Sequence, residues 1–198
     1  FACNLLPAAL VKFRQQYPKI NITVHDVINE EVTEMVRSRQ VEMGIAFSPE
    51  GAGSLLFTPL FEDHFVAVVP PTSSLNQASQ LAWSTLLNHD FITLQRPSMV
   101  RRLLEQELRK QHMELPVAFE SHQLSTVGRM VADGLGVSAV PSMCIRQMHE
   151  LGARCIPLTA PAISCRVGIL THQELSVAAH ALRTVLLETV QAPSLSGD

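Results

Sequence analysis

Residues 130–141 read Met-Val-Ala-Asp-Gly-Leu-Gly-Val-Ser-Ala-Val-Pro, and this stretch constrains the fold more than any other. Just upstream, Leu124, Val127, Met130 and Val131 fall at i, i+3, i+6 and i+7, one face of a helix. Gly134 and Gly136 can take positive φ and end that helix as C-cap residues. Val137 to Val140 then reads as a buried strand, and Pro141 can open the next helix. A helix, a tight turn, a strand and a helix in so short a span suit a compact α/β sheet. Gly-x-Gly also invites comparison with dinucleotide-binding loops. Those loops follow a strand and precede a helix; here the order is reversed, so the glycines read as a helix stop.

The rest of the chain repeats the alternation. Asn4 can cap a helix from Leu5 to about Gln16, whose apolar face is Leu6, Leu10, Phe13 and Tyr17. Ile20, Ile22 and Val24 alternate as a strand. Asn29 offers a second N-cap, with Glu30 and Glu31 in the first turn. Met43 to Phe47 is an apolar strand. Leu55 to Phe61 and Phe65 to Val69 read as two more, with Glu62-Asp63-His64 as the turn between them. Trp83 to Leu87 is a short helix and Phe91 to Leu94 a strand. Ser98 can cap a helix from Met99 to His112, and Val117 to Phe119 is a strand. After the opening unit come strands at Cys155 to Leu158 and Cys165 to Leu170. A closing helix spans about Leu175 to Val190, with Val177, Ala181, Leu182, Val185 and Leu186 inward. The pattern predicts an α/β fold with mostly parallel strands.

Bulk properties narrow the function classes. A chain of 198 residues, 46% hydrophobic, can bury a real core in one large domain or two small ones. The net charge of −3 argues against a nucleic-acid footprint on this chain itself. Arg101-Arg102 and Arg109-Lys110 read as a solvated helix face. No apolar run is long enough to span a membrane, and no signal peptide is visible. The start at Phe1-Ala2-Cys3, without Met, suits a piece of a longer protein. Cys3, Cys144, Cys155 and Cys165 form no Cys-x-x-Cys pair and suit buried thiols in a reducing cytoplasm.

Chemical motifs are sparse. The eight histidines are dispersed, without a metal-ligand spacing, so neither metal nor cofactor is expected. There is no Gly-x-Ser-x-Gly. Cys3 beside a helix start is the one candidate nucleophile, and no base can be named for it. What stands out is a set of helix starts with small polar residues at Asn4, Asn29, Ser98 and Ser125. Helix starts are good anion receptors, although plain capping alone would explain each residue. Phe47, Met99 and Leu94 would add an apolar wall. Ligands in open α/β sheets sit at the carboxyl ends of strands, where the loops at Asn4, Asn29, Phe47-Ser48, Gln95–Ser98 and His122–Thr126 are expected.

Several segments together resemble the effector-binding domain of LysR-type transcriptional regulators. Leu5-Leu6-Pro7 with Phe13 and Tyr17-Pro18 resembles the family's opening motif. Arg37 to Ile45 resembles its next segment, with Gln40 where Gly is usual and Glu42 in place of Asp. Pro59-Leu60-Phe61-Glu62-Asp63, Phe65 to Pro70 and Ser74-Leu75 follow in order, and residues 130–141 complete the set. The resemblance implies two Rossmann-like subdomains joined by two crossover strands, a type 2 periplasmic-binding-protein-like architecture. The crossovers would lie near Val66 to Val69 and Val167 to Leu170. Subdomain I would be residues 1–65 plus 171–198, and subdomain II residues 66–170. The family's winged helix-turn-helix, which binds DNA, is absent from this chain.

The family's contacts carry over to Asn29, Phe47, Ser48, Gln95, Ser98 and Ser125, with Met99 beside them. The family's Ser or Thr at the first helix would fall just before Phe1, which leaves Cys3 or Asn4 in its place. The expected function is effector sensing without catalysis: a small, acidic metabolite held between the subdomains of a cytoplasmic bacterial regulator. The intact protein would be a homodimer or tetramer. The rival readings are a transport-type solute-binding protein and a cysteine or serine hydrolase.

Overall fold

The computed structural model describes residues 6–48 and 53–191. The chain divides into two compact units, Phe1–Glu62 with Arg166–Asp198, and Asp63–Cys165. Strands β2 (Leu56–Val69) and β7 (Ser164–Thr171) each pass from one unit to the other.

The first unit contains α1 (Leu6–Gln16), α2 (Asn29–Arg37), β1 (Met43–Phe47) and α7 (Val177–Gln191), with its shares of β2 and β7. β1 pairs antiparallel with β7, Met43 opposite Thr171 and Phe47 opposite Val167. β7 has β2 as its other neighbour. Phe13 and Ala9 of α1 pack with Ile169 of β7 and with Val185 and Leu186 of α7. Phe13 is 1% exposed, so its burial contributes about 2–3 kcal/mol. Tyr17 lies one turn further along and stacks on it at a ring distance of 4.8 Å. Val36, Ala46, Leu55 and Leu170 form a second cluster under α2.

The second unit holds α3 (Trp83–Leu86), β3 (Phe91–Leu94), α4 (Met99–Lys110), β4 (Val117–Ser121), α5 (Leu124–Ala132), β5 (Ser138–Pro141), α6 (Ile145–Glu150) and β6 (Arg154–Pro157). The end of β2 is flanked by two antiparallel strands: Val66 faces Val140 of β5 and Pro157 of β6. β3 and β4 pair in parallel, and Phe91 bridges Val137 in parallel. Val127 and Val131 of α5 pack with Val66, Val68, Ile92, Val140 and Met148, and Leu124 and Met130 join them, as the helical spacing predicts. Trp83 is wholly buried and donates its indole N–H to Pro161 O at 3.0 Å, so its polar edge is satisfied.

The glycine turn is sharper than its sequence reading. Asp133 is the C-cap of α5, and Gly134 follows at φ +87°. The Gly134 N–H donates to Val131 O and the Leu135 N–H to Met130 O, at 2.9 and 3.1 Å. These two bonds make a Schellman ending, so Gly134 alone stops the helix. Gly136 has a different task. A Cβ there would lie 2.4 Å from Asp90 O, and Val137 N donates to that same oxygen at 2.8 Å. The missing side chain lets the chain enter β5 against the start of β3.

Other expectations need correction. The strands are not mostly parallel: among the described ladders only β3–β4 is, and the long strands β2 and β7 run counter to β5, β6 and β1 beside them. The two strands expected from Leu55 to Phe61 and from Phe65 to Val69 are one, Leu56–Val69, and Glu62-Asp63-His64 is strand rather than turn. Asp63 is 4% exposed; its carboxylate accepts from the Ser142 hydroxyl and from Met143 N at 3.1 Å. Residues 20–24 form no strand; Ile20 and Ile22 pack against the core, but Val24, the third of the alternating residues, is 48% exposed. Alternation decides which side chains face inward, not whether a partner edge is at hand. Val177 is not inward but 90% exposed, at the first turn of α7. Pro141 closes β5 and precedes a short 3-10 turn, Ser142–Cys144, before α6.

Candidate functional site

Cys3 and Asn4 lie outside the described residues. The other candidates fall into two groups, one in each unit.

In the first unit, β1 ends at Phe47 and α2 starts at Asn29. The Asn29 side-chain oxygen accepts from the Phe47 N–H at 2.7 Å. Asn29 is therefore not the N-cap: Ile28 holds that position, without a side-chain cap bond, and Asn29 is the first helical residue. The amide ties the helix start to the strand end and leaves its NH2 group, two donors, for other partners. Ser48 follows β1, and its N–H donates to Arg166 O at 2.8 Å. Glu30 and Glu31 occupy the first turn of α2, where they already complement its dipole.

In the second unit, β3 and β4 end side by side, Leu94 opposite Ser121. Gln95 continues the ladder, its N–H donating to Ser121 O at 2.9 Å. Its side-chain nitrogen lies 3.0 Å from His122 Nδ1. Ser98 occupies the N-cap position of α4, yet its hydroxyl makes no cap bond. Met99 opens the helix, and its sulfur accepts from an Arg102 N–H at 3.1 Å. Gln123, not Ser125, is the N-cap of α5; Ser125 is its second residue. Neither α4 nor α5 carries an acid in its first turn. Capping thus fails as an explanation for Asn29, Ser98 and Ser125. In this unit the structure brings together Gln95, Ser98 and Met99 on one loop and helix start. His122 meets them through Gln95.

Arg101 corrects the reading of the basic pair as solvated. It is 7% exposed and reaches three acceptors: Glu105 at 2.8 Å, Glu120 at 2.6 Å and Leu94 O at 3.4 Å. Arg96 grips the same Glu105 at 2.8 and 3.0 Å. Burial opposes the charge on Arg101, but its bonds to Glu105 and Glu120 outweigh that and raise its pKa. Burial likewise opposes the Glu105 carboxylate, and the two arginines outweigh it and lower its pKa. The i,i+4 spacing of Arg101 and Glu105 is readable in the sequence; Glu120, on another element, is not. The network ties α4 to Leu94 at the end of β3 and to Glu120 of β4.

Nucleophilic chemistry finds little support here. Burial pushes the Cys155 thiol up to about 11, with the neighbouring Cys144 adding to the shift, so Cys155 stays protonated at neutral pH. Among the described residues no three His, Cys, Asp or Glu side chains gather as metal ligands. No helix among them is long and apolar enough to cross a membrane.

Comparison with known proteins agrees with this architecture. The family model for the LysR substrate binding domain matches residues 1–191. Among curated proteins, the chain is 29% identical over 184 residues to the uncharacterized HTH-type transcriptional regulator YbhD of Escherichia coli (strain K12). That match covers 92% of this chain and 58% of the relative, so the chain spans under two thirds of the relative's length. Two solved structures share the fold. The effector binding domain of QuiR in complex with shikimate has a TM-score of 0.84 at 14% identity, covering 92% of this chain and 88% of that one. The regulatory domain of Synechocystis PCC6803 CcmR in complex with 2-PG has a TM-score of 0.85 at 17% identity, covering 95% and 92%. This chain, a mixed α/β protein with the type 2 periplasmic-binding-like fold, therefore belongs to the LysR substrate binding domain family of transcriptional regulators.

Proposed function

We propose that the chain is the effector-sensing part of a bacterial transcription factor and that it binds a small acidic metabolite without transforming it. The observation that carries this is the family match over residues 1–191. The site rests on a separate argument. Asn29 keeps free donors at the end of β1, Ser98 keeps an uncommitted hydroxyl at the start of α4, and α4 lacks first-turn acids. These groups suit the oxygens of a carboxylate or phosphate. Phe47, Ser48, Gln95, Met99 and Ser125 complete the contacts, with Cys3 or Asn4 serving at the first helix. Residues 1–65 with 171–198 and residues 66–170 act as the two regulatory halves.

The effector shifts an equilibrium between conformations of the intact regulator by its differential affinity for them. DNA binding belongs to a separate winged helix-turn-helix, the regulator works as a homodimer or tetramer, and the compartment is the cytoplasm. The transport reading is not favoured, because the chain's relatives are transcriptional regulators. A thermal-shift screen of small carboxylates and phosphates, with shikimate among them, tests the proposal. A ligand present at about a hundred times its Kd stabilises the fold by about 2.7 kcal/mol. At least one member is expected to raise the melting temperature; a flat panel contradicts the reading.

A further inference from the structure

Gln95 and His122 extend from the carboxyl ends of β3 and β4, and both are exposed. Gln95 Nε2 lies 3.0 Å from His122 Nδ1. An amide nitrogen only donates, so in this arrangement Nδ1 accepts, and a neutral ring carries its proton on Nε2. A protonated ring carries hydrogen on both nitrogens. It keeps this partner only if the Gln95 amide turns over and offers Oε1. Protonating the arrangement seen here therefore turns the amide over. With a neutral ring the amide presents an acceptor to its surroundings; with a charged ring it presents an NH2 beside a cation.

We propose that His122, coupled to Gln95, is a proton-linked specificity residue of the effector site, and that its charged form receives the effector's acidic group. This rests on the reading that Gln95 belongs to that site. The charged groups on the surrounding elements are Glu120 on β4, Arg96 after β3, Arg101, Arg102 and Glu105 in the first two turns of α4, and Arg129 on α5. Arg96, Arg101, Glu105 and Glu120 close into their own network. Both carboxylates on these elements are thus committed to arginines, and the counter-charge for an imidazolium comes from the ligand.

Two measurements on this chain test the inference. Imidazole nitrogen spectra at about pH 8, where an ordinary histidine is neutral, are expected to show the His122 proton on Nε2. A proton on Nδ1 overturns the pairing. The second measurement uses sulfate, whose charge is constant over the range. Sulfate is expected to shift the His122 ring signals and to bind several-fold more tightly at about pH 5.5 than at about pH 8. His122→Asn is expected to lose that pH dependence. Sulfate affinity that does not vary with pH, or a dependence that survives His122→Asn, overturns the proposal. If sulfate moves the Ser98 and Ser125 amide signals but not the His122 ring, the inference falls and the site reading stands. If it moves none of them, both fall.

Discussion

Asn29 shows how little a residue's type says about its role. Asn at a helix start reads as a cap, and the sequence offers no reason to think otherwise. The structure turns the side-chain oxygen to the Phe47 N–H, eighteen residues away, at 2.7 Å. Asn29→Ala is expected to cost about 1 kcal/mol in urea unfolding, because a part-buried N–H loses its partner. The two glycines separate in the same way. Nothing lies within 4 Å of a Cβ at Gly134, so Gly134→Ala meets only the positive-φ penalty of about 1 kcal/mol. Gly136→Ala also drives a methyl against Asp90 O and is expected to cost clearly more, about 2–4 kcal/mol. Equal losses for the two variants would contradict the assignment of stop to one and close approach to the other. That glycines are needed here was legible in the motif. Which one ends the helix depends on a neighbouring strand, which local sequence cannot specify.

At the scale of elements, the helices were legible because their apolar spacing records the face they bury. Val127 and Val131 lie in the core with Leu124 and Met130 packed beside them. Strands were legible as apolar runs, but their partners were not. Continuity through Glu62-Asp63-His64 was hidden because Asp63 is a buried charge, satisfied by Ser142 and Met143 from a distant part of the chain. The arginine network had the same fate. Its i,i+4 half can be read off α4, while Glu120 arrives from β4. This network gives the second unit an acid-sensitive joint. The Glu105 carboxyl titrates below its ordinary value of about 4.3. Its contribution to stability is therefore full above that value and is lost as pH falls through the lower folded one. Glu105→Gln is expected to flatten that acid limb in chemical unfolding measured between about pH 3 and 6. Arg101→Ala, which leaves Glu105 to Arg96 alone and takes the arginine from Glu120, is expected to cost about 1–2 kcal/mol at neutral pH.

For the whole molecule, the order of helices and strands together with the family motifs carried the two-unit α/β plan. The direction of the strands is not legible in the sequence, because the long strands β2 and β7 pair antiparallel with segments far away in the chain. The candidate site was legible as a set of strand ends and helix starts. His122 was seen only as one of several polar residues before α5, since its pairing with Gln95 requires β3 and β4 to lie side by side. On the proposed reading, this chain holds an acidic effector through the start of α4. Calorimetric titration of the strongest hit from the carboxylate and phosphate panel, into the wild type and into Ser98→Glu, tests it most directly. Ser98→Ala serves as the folding control, with circular dichroism unchanged in both variants. Binding to the wild type is expected, with a loss of at least about tenfold in affinity for Ser98→Glu, from a negative charge set against the ligand's own. Undiminished binding by a folded Ser98→Glu protein would contradict it.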